Sequence, residues 1–240
     1  MRRQSPRVLR GCTRYYVARV DITHDSNIQV DRHGVEVLDA EAVEERALQT
    51  IRAFDPVLVS APRSIPVEEF VRQLAENRVL EYEPSADLGN VLGRCWFSTP
   101  RIEINRALEG PWRRFVLAHE LGHFTLHRHL KVLRRDYVED YARTIHEGAP
   151  PTPPAREWME WQANRFAAAL LAPLPTLAVV AQEALEETRL ETGPRRLRQI
   201  ADYIAAYFDV GKTAARRRLD EIGVLAKKWA PQQRPTPAGH

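Results

Sequence analysis

The sequence predicts an α+β fold, with a short β-sheet, several amphipathic helices and a helical C-terminal subdomain. Three observations carry this expectation. Short alternating or apolar runs bounded by turn residues recur up to about residue 105. From residue 111 onward apolar residues fall at helical spacing. Proline-bearing breaks then separate one helical stretch from the next.

In chain order, YYVARVDI alternates, and IQVDRHGVEV reads as two short strands around a turn at Asp31–Gly34, so residues 15–37 are expected to be β structure. Residues 39–54 place Val43, Ala47, Leu48, Ile51 and Phe54 on one helical face. FDPVLVSAPRS is a loop. Ser64 is a candidate cap for the next helix, with Pro66 near its first turn and Val67, Phe70, Val71 and Leu74 on its apolar side. VLEYE is a candidate strand. Val91–Phe97 and Arg101–Asn105 flank a Ser-Thr-Pro turn and read as a hairpin. Either hairpin strand, if at a sheet edge, would accept an extended peptide as a further strand. Pro111 starts a helix expected to run to about Leu130. EGAPPTPPAR, at 147–156, carries too many prolines for helix or strand. A helix from about Glu157 to Leu171 is stopped by Pro173 and Pro175, and another covers 177–191. Gly193–Pro194 breaks that one, and 195–225 holds two or three short helices. The Pro-rich tail 229–240 is expected to be disordered.

Composition narrows the function classes. The 240 residues are 44% hydrophobic and 28% charged, as in an ordinary globular protein with a real core. A net charge of +3 is too small to argue for nucleic acid by itself. Cys12 and Cys95 lie far apart with no CxxC spacing, which predicts no disulfide framework and suits a reducing cytoplasm. The basic start MRRQSPRVLRG is not followed by an apolar stretch of signal-peptide type, and no run of apolar residues is long enough for a transmembrane helix. The expectation is a cytoplasmic protein with no membrane partner.

The chemistry sits in FVLAHELGHFTLHRHL, residues 115–130. His119, Glu120 and His123 spell HExxH. Helical residues four apart share a face, about 5–6 Å apart at Cβ, so both imidazoles can reach one tetrahedral ion. Zinc lowers the pKa of a water it binds to about 7, and Glu120, one step round the helix, is placed to take that proton. This is the arrangement for metal-assisted hydrolysis of an amide. With 8 His and 32 acidic residues in 240 positions, a chance HExxH arises roughly 3% of the time, even counting Asp as Glu. A pair of packed histidines is therefore the weaker reading.

A third protein ligand is needed. His129 has the spacing of the HExxHxxGxxH proteases, but Leu126 stands where that class has its helix-leaving glycine. On a continuing helix His129 points about 240° away from His123. His127 shares the His123 face more nearly, but three imidazoles in i, i+4 succession span about 12 Å, too far for one ion. His127 is better placed at the rim or behind a ligand. In EWMEWQANRFAAALLAP, Glu160, Ala163, Asn164, Ala167, Ala168 and Leu171 lie at helical spacing, and the small residues permit close helix packing. Glu160 can reach the metal from there, Asn164 can hydrogen-bond a ligand imidazole, and Glu157 is the alternative ligand.

FVLAHELGHFTLH followed by ExxANRFAAALLAP resembles the ImmA/IrrE family of metallopeptidases, over roughly residues 55–225. The resemblance implies a zincin-like core, with His119, His123 and Glu160 as metal ligands and Glu120 as the catalytic glutamate. It also implies that RIEIN is the strand entering the active-site helix. Zinc suits the ligand set, and manganese or iron(II) are the alternatives by availability. The family substrate class would be a helix-turn-helix transcriptional repressor, cut to derepress genes. For stabilising the oxyanion, His127, Tyr137, Tyr141 and His146 are the candidates. The expected organisation is an N-terminal extension over 1–54, a peptidase core over 55–192, a helix-turn-helix-like subdomain over 193–228 and the tail.

IADYIAAYFDVGKTAARRRLDEIGVL resembles a helix-turn-helix whose second helix carries Arg216, Arg217 and Arg218. From 194 to 234 ten Lys and Arg face four acids, a net of +6. That is a modest basic patch, and partner docking is the favoured reading of these arginines over DNA contact. The competing function is a DNA-binding or toxin–antitoxin-linked regulator with a structural or vestigial metal site. Glu120 favours the enzyme, because a structural site has no use for it.

Overall fold

A computed structural model of the chain describes residues 36–129, 138–141 and 155–223. Residues 15–35 of the β structure expected over 15–37, Tyr137, His146, most of the proline-rich loop and the tail lie outside the described residues.

Helix α1, Ala40–Phe54, starts at Asp39, whose carboxylate accepts from the Ala42 N–H at 2.8 Å and meets one of the donors a helix start leaves open. Its inward face carries Val43, Ala47, Leu48 and Ile51, while Phe54 stacks on Phe70 at 3.8 Å. A 3₁₀ turn, Pro56–Val59, lies inside the stretch expected as loop. Helix α2, Val67–Glu76, is not capped by Ser64: its N-cap is Pro66, with no side-chain bond. Ser64 is drawn elsewhere. Its hydroxyl donates to the Phe208 carbonyl at 3.1 Å and accepts from Arg114 at 2.7 Å.

The sheet has the order β1-β3-β2-β4, with β1 Glu81–Ala86, β2 Gly93–Trp96, β3 Arg101–Asn105 and β4 Val138–Tyr141. The expected hairpin forms as β2 and β3, antiparallel, with Trp96 opposite Arg101. β1 adds parallel to β3, and β4 antiparallel to β2. Both hairpin strands are thus interior. Strand addition to either is ruled out, because their backbone groups are already paired on both sides.

Helix α3, Gly110–His127, begins with Pro111 in its first turn, where a missing N–H costs nothing, and stops three residues short of the expected Leu130. From Val116 to Phe124 it is buried all round. Helix α4, Ala155–Leu171, crosses it closely. A Cβ at Gly122 would sit 3.3 Å from the Ala163 Cα and 3.0 Å from the Phe166 ring, so the glycine permits this approach despite a helix cost of about 1 kcal/mol. Helix α5, Leu174–Glu187, starts before the expected 177 because Pro175 fits in a first helical turn. In the same way Gly193 and Pro194 open helix α6, Gly193–Phe208, rather than merely ending α5.

α6 ends at Asp209, in the left-handed region at φ 52°, and the turn 209–211 leads to α7, Lys212–Glu221. Arg114 on α3 holds that turn, donating from Nε to the Asp209 carbonyl at 3.0 Å and pairing with its carboxylate at 3.1 Å. Burial lowers the Arg114 pKa, and Asp209 opposes the shift. One cluster of buried apolar residues runs from Leu38 to Leu219, across the boundaries expected at 54/55 and 192/193. Among the described residues no single helix is long and apolar enough to cross a membrane.

Candidate active site

Three elements build the site. α3 supplies His119, Glu120 and His123, all fully buried. α4, held close by Gly122 and Ala163, supplies Glu160 and Asn164. β2 closes against them at Gly93, where a Cβ would lie 2.6 Å from Glu120 Oε1 and 2.7 Å from a Val116 methyl. Only glycine lets this strand lie so near the Glu120 side chain.

His119 Nε2 and His123 Nε2 are 2.9 Å apart. Glu160 reaches both, with Oε2 3.4 Å from His119 Nε2 and Oε1 3.3 Å from His123 Nε2. Its side chain is 12% exposed. Zinc bonds of about 2.0–2.1 Å in a tetrahedron separate ligand atoms by about 3.3 Å, so these three fit one small divalent ion. Among the described residues this is the cluster of His, Cys, Asp or Glu whose ligand atoms converge in this way. Neither Glu157 nor His129 belongs to it.

The other ring nitrogens are held from behind. His119 Nδ1 lies 3.1 Å from Asn164 Oδ1, the partner expected one turn beyond Glu160. His123 Nδ1 lies 3.1 Å from His127 Nδ1, and His127 Nε2 lies 2.8 Å from Gln162 Oε1. Gln162 in turn donates to the Glu36 carbonyl at 2.7 Å. His127, 1% exposed, therefore stands behind His123, on the side away from Glu160. Tyr141 is opposite Gly93 in the β4–β2 register.

Burial alone would raise the Glu160 pKa, but the hydrogen bonds and charges of His119 and His123 outweigh it and hold the carboxyl well below the usual carboxylate range. Burial pushes His127 the other way for a base, well below the ordinary imidazole value. His123 and His129 reinforce that shift, and Gln162 and Glu160 oppose it.

The three arginines of α7 part company. Arg216 and Arg217 are exposed, but Arg218 is 1% exposed and belongs to the buried face with Ala215 and Leu219. It cannot contact DNA or a partner from there. Residues i, i+3 and i+4 share a helix face, and that phase turns Arg218 inward onto Glu44.

The family model described as the IrrE N-terminal-like domain, of the peptidase M78 family, matches residues 79–220. The chain belongs to this family. Compared with curated proteins, it finds no significant match. Membership of peptidase M78 supports a metallopeptidase-type function, and His119, His123 and Glu160 are a group that could hold a metal ion. The match begins after α1 and α2, yet α1 shares the core and Glu36 reaches the site through Gln162. Sequence reasoning missed both Gly93 and Gln162. A glycine inside a strand pattern is the signal that marks the first. A buried amide two residues past Glu160 carries no comparable signal.

Proposed function

We propose that this chain is a zinc-dependent endopeptidase of the cytoplasm. Its proposed substrate is a helix-turn-helix transcriptional repressor, cut at one site to release gene expression. The observation that carries the catalytic part is the convergence of His119, His123 and Glu160 beside a fully buried Glu120. The substrate class follows from the ImmA/IrrE resemblance. Manganese or iron(II) are compatible with the same donors. No membrane or DNA partner enters this reading, and the burial of Arg218 counts against α7 as a recognition helix.

A divalent ion bound to these three residues would supply Lewis-acid polarisation of a carbonyl and an acidified water. The remaining work belongs to the protein. Asn164 and His127 keep both imidazoles turned with Nε2 toward Glu160. Glu120, confined between α3 and Gly93, is the general base that takes a proton from the attacking water and returns it to the leaving amine. The buried setting excludes bulk water and strengthens each of these interactions.

The test incubates zinc-loaded protein with any helix-turn-helix repressor whose gene neighbours its own, with and without chelator, and reads products by mass. One discrete, chelator-sensitive cut is expected. An intact repressor under all conditions, together with salt-sensitive DNA binding by the chain itself, would overturn the proposal.

A further inference from the structure

We infer that His127 and Gln162 form a neutral hydrogen-bond relay that fixes the tautomer of His123 for metal binding, with its direction set by the backbone carbonyl of Glu36. This rests on the metal site proposed above. The relay runs from His123 Nδ1 to His127 Nδ1 at 3.1 Å, from His127 Nε2 to Gln162 Oε1 at 2.8 Å, and from Gln162 Nε2 to the Glu36 carbonyl at 2.7 Å.

The direction follows from what each group can do. A carbonyl only accepts, so Gln162 must turn its amide NH₂ toward Glu36. Its Oε1 then faces His127, and an amide oxygen also only accepts, so the His127 proton sits on Nε2. His127 Nδ1 is left with a lone pair. The His123 nitrogen opposite it must donate, which puts the His123 proton on Nδ1 and leaves Nε2 bare. That bare Nε2 is the atom 3.3 Å from Glu160 and 2.9 Å from His119 Nε2. One proton per link satisfies the whole chain, and His127 and Gln162 are 1% and 0% exposed, so water does not compete for their bonds.

The other ligand is oriented differently. His119 meets a side-chain amide directly, through Asn164. His123 is oriented through two intermediates, ending on a residue outside the segment 79–220 that matches the family. His127 and Gln162 are accordingly positioning residues, which act on the metal only through His123.

Groups behind a ligand histidine typically change metal affinity about 10–100-fold. Gln162→Met keeps the volume and removes both of its bonds. The zinc dissociation constant, by competition with a chromophoric chelator, is expected to rise by about that factor. The metal-free melting profile should remain cooperative. His127→Leu should weaken zinc at least as much, and the double variant His127→Leu/Gln162→Met no further than His127→Leu, because the glutamine acts through the histidine. A measurement on the unaltered zinc-loaded chain needs no variant to fold. Long-range ¹H–¹⁵N NMR should show His127 as the Nε2–H tautomer and His123 with its proton on Nδ1. Tight zinc binding by the parent that Gln162→Met leaves unchanged, or His127 found as the Nδ1–H tautomer, overturns the relay alone. Failure of the parent chain to bind zinc overturns the metal site and the relay with it.

Discussion

Replacing Arg218 by Met tests how α1, α4 and α7 are held together. The Arg218 guanidinium donates to Glu44 through Nη2 at 2.8 Å and Nη1 at 2.9 Å, and to Glu221 through Nη1 at 2.5 Å. Its Nε and Nη2 also reach the Ala172 carbonyl at 3.0 and 2.7 Å. Glu221 is shared with Arg165 on α4. Side-chain exposure is 1% for Arg218 and 8% for Glu44. Arg218→Met fills most of the volume but strands the Glu44 carboxylate, whose remaining donor among the described residues is the Leu174 N–H at 3.3 Å. Removing one partner of a buried pair costs about 3–5 kcal/mol.

In a chain of this size each kcal/mol lowers Tm by about 2–4 °C, so a fall of roughly 6–20 °C is expected by circular dichroism. Glu44→Leu/Arg218→Met removes both charges. It should recover part of the single-variant loss, because the stranded carboxylate is gone, the Ala172 carbonyl loses Arg218 in both variants, and only the Leu174 N–H, held at 3.3 Å, is newly left open at about 1–3 kcal/mol. Exposed Arg216→Ala and Arg217→Ala should each stay within about 0.5 kcal/mol of the parent. A loss below about 1 kcal/mol for Arg218→Met, or a double variant less stable than Arg218→Met alone, would refute the buried network.

The remaining predictions concern the site. Glu120→Gln should keep bound metal, counted by elemental analysis, and lower hydrolysis by about 10²–10⁴-fold, since the ligands remain while the proton acceptor is gone. Glu160→Ala should bind zinc at least about 100-fold more weakly in a chelator competition, and full occupancy would move the third ligand to Glu157 or His129. Gly93→Ala should retain zinc yet cut turnover by about 10²-fold, because its Cβ would come within 2.6 Å of Glu120 Oε1 and push the carboxylate out of place. Chelation should lower Tm without removing the far-ultraviolet helical signal. Loss of all structure on chelation would make the metal a folding element.

The pattern of what could be read from the sequence is physical. HExxH was legible because its geometry is local: a step of four residues on one helix fixes the separation of two imidazoles. The small residues of α4 were legible for the same reason, as Gly122 and Ala163 show at the crossing. Ser64 misled because the local capping rule lost to a longer-range partner, Arg114, which occupies its hydroxyl. The arginine triplet misled because counting charge ignores helical phase, which separates Arg218 from its neighbours. The interior position of the hairpin strands was hidden, since β4 joins β2 from beyond two further elements of chain. Gly93 and Gln162 act across tertiary contacts, and no spacing rule in one segment encodes them.

The candidate metal site is assembled by packing, and that decides what a metal could mean here. His119 and His123 are buried on a helix surrounded by apolar side chains, and the position of Glu160 is set where Gly122 meets Ala163 and Phe166. These contacts involve no ligand atom. An ion that bound only this arrangement would stabilise the fold by mass action, about 4 kcal/mol at a thousand times its dissociation constant, without being needed to create it. In a small domain whose metal is structural the dependence runs the other way: the chain is unfolded without the ion and folds around it. Here His119, His123 and Glu160 stand on two packed helices, and Glu120 lies on the histidines' helix with a strand glycine against it. A purely structural ion would need neither that carboxylate nor the clearance Gly93 provides. The same geometry places the relay through His127 and Gln162 on the protein side of the site.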